Sequence, residues 1–182
     1  VVEEYMGHIR QLSENLANKI AAGEVVERPA SVIKELTENS IDAKAKRITI
    51  LVEQGGTSSM SVIDDGIGMN RTDALLCFSR HATSKIVDEN DLFNITTLGF
   101  RGEAIPSIAS ISVFTLETSD GEENTKVEYE FGKRKSVDSV AMNRGTKITV
   151  ERIFQNVPAR LKYMKSINAE FAAIYSYVER LA

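Results

Sequence analysis

Residues 59–68 read SMSVIDDGIG and set a short strand-like run directly before two acidic residues and two glycines. A similar run rich in β-branched residues occupies positions 47–53, and the QGGT between them predicts a hairpin. Glycines at Gly66 and Gly68 would permit positive φ angles and the close approach of a ligand to the backbone. Asp64, at the strand end, could accept a hydrogen bond from an amino group. A plain Asp-Gly turn would share this sequence, so the stretch alone leaves both interpretations open.

Upstream of the hairpin, apolar residues recur at helical spacing over positions 16–41 and are interrupted by Glu27-Arg28-Pro29. This pattern predicts two helices, with Pro29 in the first turn of the second, where its missing N–H would have had no intrahelical partner. Glu35 and Asn39 are four residues apart, so their side chains project from one face of that helix. They could share a site, or they could simply belong to a solvated helix face.

Downstream, the pattern predicts a helix over residues 70–79, with Asn70 as its N-cap and Asp73 in its first turn. Residues 80–99 are polar and weakly periodic, which is typical of a functional loop, and we expect a lid there. A helix over 102–108, strands over 111–118, 126–131 and 146–153, and a final helix capped by Asn168 complete the prediction. Helices first and neighbouring strands later favour a two-layer α+β sandwich.

The amino-acid composition indicates the broad class to which the protein belongs. The 182 residues are 42% hydrophobic and 26% charged, which is typical of one folded domain. The formal net charge of −4 gives no positive field of the kind that favours nucleic-acid binding, although it does not exclude a local basic groove. One cysteine cannot form an internal disulfide, and no apolar run approaches the length of a membrane span. We therefore expect a cytoplasmic protein without a membrane segment.

A third candidate for chemistry is the run TLGFRGEA at residues 97–104, a glycine-flanked turn that leads into a predicted helix. Free N–H groups and the positive end of a helix dipole can bind phosphates at such a junction, and Arg101 could add charge. The run lacks the Gly-Lys-Ser/Thr ending of a Walker loop and the dinucleotide-binding glycine pattern. Taken alone, an ordinary helix N-terminus explains it equally well.

The order of these features resembles the ATP site of the GHKL superfamily, and five sequence blocks narrow the resemblance to the MutL family of DNA mismatch repair proteins. The blocks lie at residues 17–31 (ANKIAAGEVVERPAS), 34–43 (KELTENSIDA), 80–85 (RHATSK), 99–104 (GFRGEA) and 156–160 (NVPAR). The resemblance implies a two-layer α/β sandwich of the GHKL (Bergerat) type, with a mixed, mainly antiparallel sheet covered by helices on one face.

The resemblance also implies a role for each matching residue, with ATP and Mg²⁺ as the bound groups. Glu35 would be the general base for the attacking water, Asn39 would bind Mg²⁺ through its amide oxygen, and Asp64 would accept from the adenine amino group. The remaining nucleotide-binding positions would lie beside the adenine ring, around the phosphates or in the lid. They are Gly66 and Gly68 beside the ring, Thr83, Ser84 and Lys85 in the lid, Gly99, Phe100, Arg101 and Gly102 around the phosphates, and Thr146 as an indirect adenine contact.

For domain organisation, the resemblance implies an N-terminal arm at residues 1–15 and an ATP-binding subdomain at 16–182. Because residues 1–5 precede Met6, we leave them out of the fold prediction. A second subdomain that supplies a lysine to the γ-phosphate and a C-terminal dimerisation domain are family features not found in this sequence. Expected partners are a second N-terminal region in the ATP-bound state, the mismatch-recognition protein MutS, downstream repair factors, and DNA through its phosphates.

Two positions depart from the family pattern. Lys44 follows Asp42-Ala43 where the family usually has glycine, so a side chain stands where the helix is expected to end. Pro106 falls within the predicted helix after Gly102, where it costs little in the first turn and would kink the helix one turn later.

Other functions remain alternatives at this point. A nucleotide-gated interaction module without meaningful catalysis would carry the same motifs. A histidine kinase would need a phospho-accepting histidine on an upstream dimer helix, whereas His8 lies in a short polar segment and His81 in the expected lid. DNA topoisomerases and heat-shock chaperones share the ATP site but not the blocks at 80–85 and 156–160.

Overall fold

The computed structural model describes residues 9–80 and 102–182 and shows a six-stranded antiparallel sheet packed against helices. This confirms the predicted α+β class. The helices and strands in chain order are α1 (Glu14–Val25), α2 (Pro29–Asp42), β1 (Ile48–Glu53), a 3₁₀ turn (Gln54–Gly56), β2 (Ser59–Asp64), α3 (Arg71–Leu76), α4 (Ala104–Ser110), β3 (Val113–Ser119), β4 (Asn124–Glu130), β5 (Lys133–Asp138), β6 (Gly145–Glu151), α5 (Pro158–Lys162) and α6 (Ile167–Leu181).

The sheet has the strand order β1-β2-β6-β3-β4-β5. The five neighbouring pairs in the described part are all antiparallel, where the resemblance had implied a mixed, mainly antiparallel sheet. Strand β6 lies between β2 and β3, so the last strand of the chain joins the predicted hairpin to the second half of the sheet. Residues at the end of β2 are therefore brought next to residues at the start of β6.

The core lies between the sheet and the helices. Alternate residues of the central strands are buried, such as Phe114 and Leu116 on β3, because successive side chains of a strand point to opposite faces. Helix α2 contributes Val32, Ile33 and Leu36, each exposed by 1% or less, at the spacing of one helix face. This face fixes the rotation of α2 and so determines which of its polar residues can reach the end of β2.

The break between the first two helices falls where the sequence predicted it. Pro29 occupies the first turn of α2, and Arg28 precedes it with an extended backbone. The predicted cap of α3 is also confirmed, because the side chain of Asn70 accepts a hydrogen bond from the backbone N–H of Asp73 at 2.8 Å. Pro106 is the third residue of α4 and therefore lies in the first turn, where it costs little.

Lys44 adopts the left-handed conformation that glycine would favour, with φ of 61°, and its N–H donates to the carbonyl of Ile41 at 2.9 Å. The left-handed region is unfavourable for a residue with a Cβ. We expect Lys44→Gly to raise the free energy of unfolding by about 0.5–1 kcal/mol, measured by urea denaturation, because the relief of strain exceeds the entropy that glycine adds to the unfolded chain. Lys46→Gly, outside that conformation, is the control and should lower stability; equal effects of the two changes would contradict the strain argument.

Three features of the fold differ from the sequence prediction. Strand β5 and helix α5 were not predicted. The N-cap of α6 is Ser166, whose side chain accepts from the N–H of Ala169 at 3.2 Å, so the prediction of Asn168 as the cap is wrong. Helix α6 packs on α2 and on the 3₁₀ turn, and its Ile174 is buried.

The apolar stripe predicted on α6 is only partly buried. Phe171, Tyr175 and Leu181 are exposed, by 50%, 58% and 44%, while Val178 is partly buried against the core. The helix therefore does not lie flat on the sheet with its whole apolar stripe, as the sequence had suggested.

Candidate functional site

Asp64, the last residue of β2, is held by donors on both carboxylate oxygens. The hydroxyl of Ser40 lies 2.7 Å from Oδ2, and the backbone N–H of Gly66 donates to Oδ1 at 2.9 Å. Ser40 is 2% exposed and belongs to α2, so this hydrogen bond links the helix to the end of the strand. Two donors fix the orientation of the carboxylate and leave it lone pairs for a further donor.

The loop after Asp64 is tied to the end of α2. The N–H of Ile67 donates to the carbonyl of Ala43 at 2.9 Å. Asp65 accepts hydrogen bonds from the backbone N–H groups of Arg47 and Lys46, at 2.9 and 2.8 Å, and these bonds hold the pKa of its carboxyl below its usual value. The side chain of Asp65 thus points away from Asp64 and stabilises the start of β1.

Both glycines of the loop occupy positions that exclude a side chain. A Cβ on Gly66 would lie 2.7 Å from the carbonyl oxygen of Ala43, and one on Gly68 would collide with the carbonyl oxygen of Ser119. Gly68 also has a φ of 66°. The loop is therefore folded closely between the end of α2 and the end of β3.

Three polar side chains form a row across three strands. Asp64 on β2 is the register partner of Thr146 on β6, and Thr146 is in turn the partner of Thr118 on β3. The hydroxyl oxygens of the two threonines are 2.9 Å apart. Side chains at paired positions lie on the same face of a sheet, so the row presents one carboxylate and two hydroxyls beside the glycine loop.

Glu35 and Asn39 lie on α2, one turn apart and half-buried. Asn39 directly precedes Ser40, whose hydroxyl contacts Asp64. The helix therefore carries a carboxylate and an amide along the same element that braces the strand end. This arrangement is chemically suited to bind an amino-bearing ring at Asp64 and polar groups along α2.

Of the positions singled out from the sequence, the structure places Asp64, Gly66, Gly68 and Thr146 near one another, beside the end of helix α2. Gly102 directly precedes the N-cap residue of α4 and has a φ of 66°. The predicted positions that lie outside the described residues are Thr83, Ser84, Lys85, Gly99, Phe100 and Arg101.

Two residues of the site were not singled out from the sequence, namely Ser40 and Thr118. Ser40 had a detectable signal, because it is a polar residue on the buried face of an amphipathic helix next to Asn39. Thr118 had none, because threonine is common in strands and its partners become apparent only when the register is known.

The block at residues 156–160 forms hydrogen bonds to two other parts of the fold. The side-chain amide of Asn156 donates to the carbonyl of Ser110 at 2.9 Å, and the guanidinium of Arg160 donates to the carbonyl of Gly23 at 3.1 Å. These bonds connect the segment after β6 to the ends of α4 and α1.

No helix within residues 9–80 and 102–182 combines the length and apolar content required to cross a membrane.

The fold agrees with a comparison against known families. The model of the histidine kinase-, DNA gyrase B- and HSP90-like ATPases matches residues 27–163, which is most of the chain. The chain belongs to this family of ATPases.

Within that family, the similarity is to the N-terminal region of MutL. The chain is 55% identical to the DNA mismatch repair protein MutL of Lactococcus lactis subsp. lactis and 56% identical to that of Geobacillus kaustophilus, in each case over 97% of its length. It spans only 27% and 28% of those two proteins.

Solved structures of a MutL ATPase domain and of a DNA repair protein are also similar to this chain. The ADP-complexed MutL ATPase domain of Aquifex aeolicus is 28% identical, with a TM-score of 0.64 over 87% of this chain and 56% of that one. The N-terminal domain of a DNA repair protein is also 28% identical, with a TM-score of 0.74 over 89% of this chain and 47% of that one.

Proposed function

We propose that this chain binds ATP with Mg²⁺ and hydrolyses it slowly, as the nucleotide-binding part of a MutL-like mismatch repair protein. The observation that carries the proposal is the hydrogen-bonded carboxylate of Asp64 beside the Gly66–Gly68 loop and Thr146. A related ATPase domain is described in complex with ADP, which supports a nucleotide as the ligand.

The base would be selected at Asp64. A carboxylate accepts hydrogen bonds only, so it favours the exocyclic amino group of adenine over the carbonyl oxygen that guanine carries at the same position. Ser40 and Gly66 hold the carboxylate from the protein side, which leaves its free lone pairs for the ring. Thr146, next to Asp64 in the register, would contact the same edge of the base, directly or through a water.

Asn39 would hold Mg²⁺. One amide oxygen is a suitable hard ligand, because Mg²⁺ keeps several waters and takes further oxygens from substrate phosphates. When bound, the ion would neutralise charge on the phosphates of ATP.

Glu35 would orient the attacking water and accept its proton. It lies one turn before Asn39 on the same side of α2, so the base and the metal ligand would be positioned by one rigid helix. The backbone around Gly102 would add N–H donors toward the phosphates, together with Gly99, Phe100 and Arg101, under a lid containing Thr83, Ser84 and Lys85.

In a protein as long as the MutL relatives, ATP binding would order the lid and the N-terminal arm, and two N-terminal regions would associate. Hydrolysis would then reset the contacts, so that the nucleotide times the engagement of MutS, downstream repair factors and DNA phosphates. The two MutL proteins named above are three to four times as long as this chain, so these partners are proposed for a protein of that length. A cytoplasmic, nucleoid-associated location fits this role.

Asp64→Asn is the test of the binding proposal. We expect ATP affinity to fall by about 30-fold, because a hydrogen bond to a charged acceptor is worth roughly 2 kcal/mol. The amide would also present an N–H₂ group to either Ser40 or the N–H of Gly66, which disturbs the network. The measurement is calorimetric titration with ATP and, in parallel, with GTP.

The matched control is Asp138→Asn, an exposed aspartate on β5 at the far edge of the sheet, and its ATP affinity should equal that of the wild type. The ATP preference over GTP should shrink in Asp64→Asn alone. Undiminished ATP affinity in that variant would remove Asp64 from the adenine site. Binding without any turnover in the wild type would instead favour the nucleotide-gated interaction module.

A further inference from the structure

Thr118 is completely buried in β3 and stands at the end of the polar row, behind Thr146 as seen from Asp64. Its hydroxyl has three neighbours within hydrogen-bond distance. The N–H of Met69 donates to it at 3.0 Å, the hydroxyl of Thr146 lies 2.9 Å away, and the carbonyl of Gly145 lies 3.2 Å away. One hydroxyl thus connects the glycine loop, which ends near Met69, to the start of β6.

The protons can be counted at this junction. The hydroxyl of Thr118 accepts from Met69 and has a single proton to give, either to Thr146 or to the carbonyl of Gly145. In the first case the proton of Thr146 is free for an acceptor on a ligand. In the second, Thr146 donates back to Thr118 and offers a ligand only lone pairs. Either way, Thr118 holds Thr146 in one place and keeps it hydrogen-bonded.

We propose that Thr118 is a positioning residue for the base-binding part of the site. This inference rests on the ATP binding proposed above. Thr118 would hold Thr146 and the Met69 end of the loop against the purine ring. Its hydrogen-bond partners are Met69, Gly145 and Thr146, whereas the proposed phosphate and metal groups are on α2 and around Gly102. Replacing Thr118 should therefore weaken the binding of the base and leave the binding of the phosphates unchanged.

The experiment compares Thr118→Ser with Thr118→Ala. Both variants lose the same methyl group and differ only in the hydroxyl, so the change in packing is matched. Each is titrated calorimetrically with ADP and, separately, with inorganic tripolyphosphate in the presence of Mg²⁺. We expect Thr118→Ala to bind ADP about tenfold more weakly than Thr118→Ser, with tripolyphosphate affinity equal within about twofold.

Thr125→Ala is the control for a general loss of sheet stability. Thr125 is 1% exposed and is the register partner of Thr118 on β4, so its truncation removes a buried threonine on the same face but one strand further from Asp64. Its ADP affinity should match that of the wild type. If Thr118→Ala does not fold, Thr118→Val is compared with the wild type instead, because valine preserves the shape of threonine without the hydroxyl.

Two results would overturn the proposal while the wild type binds ADP. Equal ADP affinity of the serine and alanine variants would show that the hydroxyl plays no part. A parallel loss for ADP and tripolyphosphate would show a general structural role in place of a base-specific one. If the wild type itself binds no ADP, the proposed function fails, and this outcome is distinct from the other two.

Discussion

Glu35→Ala is expected to lower the rate of ATP hydrolysis by about a hundredfold or more while leaving ATP binding intact. The carboxylate is placed on α2 one turn before Asn39 and is assigned to accept the proton of the attacking water. Removing a general base raises the barrier of the chemical step only, because the adenine contacts at Asp64 and the proposed metal contact at Asn39 remain.

The measurement must suit the slow hydrolysis proposed above. Single-turnover release of phosphate, with protein in excess over ATP, reads the chemical step directly, and a parallel titration reads the affinity. Glu38→Ala is the matched control, because Glu38 is also a half-buried glutamate on α2, lies three residues further along the same face and has no assigned role in the reaction. Turnover at the wild-type rate in Glu35→Ala would refute the assignment of the base.

The sequence was sufficient for the parts of the fold that have strong periodicity or a specific cap. Helices α1 and α2 followed from apolar spacing and from Pro29, and α3 from the capping side chain of Asn70. Strands β1 and β2 followed from two β-branched runs separated by QGGT. In these places local preference and tertiary packing agree, so the local pattern is a reliable guide.

Strand β5 was missed because nothing in its sequence marks a strand. It reads KRKSVD, with three consecutive basic residues and a single β-branched one, and it lies at the edge of the sheet. Its extended backbone follows from pairing with β4, for instance Val137 opposite Val127, and edge strands often carry lysine, which discourages further pairing. Such a strand is defined by its neighbour, which a local pattern cannot reveal.

The capping error at α6 has a different cause. Ser166 and Asn168 are both good N-cap residues and stand two positions apart, so composition alone does not choose between them. The choice falls on Ser166 because Glu170, four residues later, then faces inward to Arg28 and to the N–H of Lys165. A tertiary contact of a buried carboxylate therefore decides where the helix begins.

For the candidate site, the sequence indicated the residues that would contact a ligand but not those that hold them. Asp64 and Thr146 were found through the order of the motifs, whereas the register that places them side by side came from the structure. Ser40 and Thr118 support that pair from behind, and their role depends on strand pairing and helix rotation that no local pattern reports.

Glu170→Ala is expected to lower the free energy of unfolding by about 3 kcal/mol. Glu170 is 1% exposed, and its carboxylate accepts from Arg28 Nε and from the backbone N–H of Lys165, both at 3.0 Å. Truncation would leave that N–H without its acceptor and Arg28 without its counter-charge. Since the side chain of Arg28 is 32% exposed and can regain water, the value falls at the lower end of the range for a broken buried ion pair.

The measurement is urea denaturation, with Glu179→Ala as the control because Glu179 is an exposed glutamate on the same helix. Glu170→Gln should fall between the two, since it retains an acceptor for the N–H of Lys165 but loses the charge. Arg28 directly precedes α2, so this ion pair joins α6 to the start of the helix that carries Glu35, Asn39 and Ser40. A stability loss no larger than that of the Glu179 variant would show that α2 is anchored by apolar packing alone.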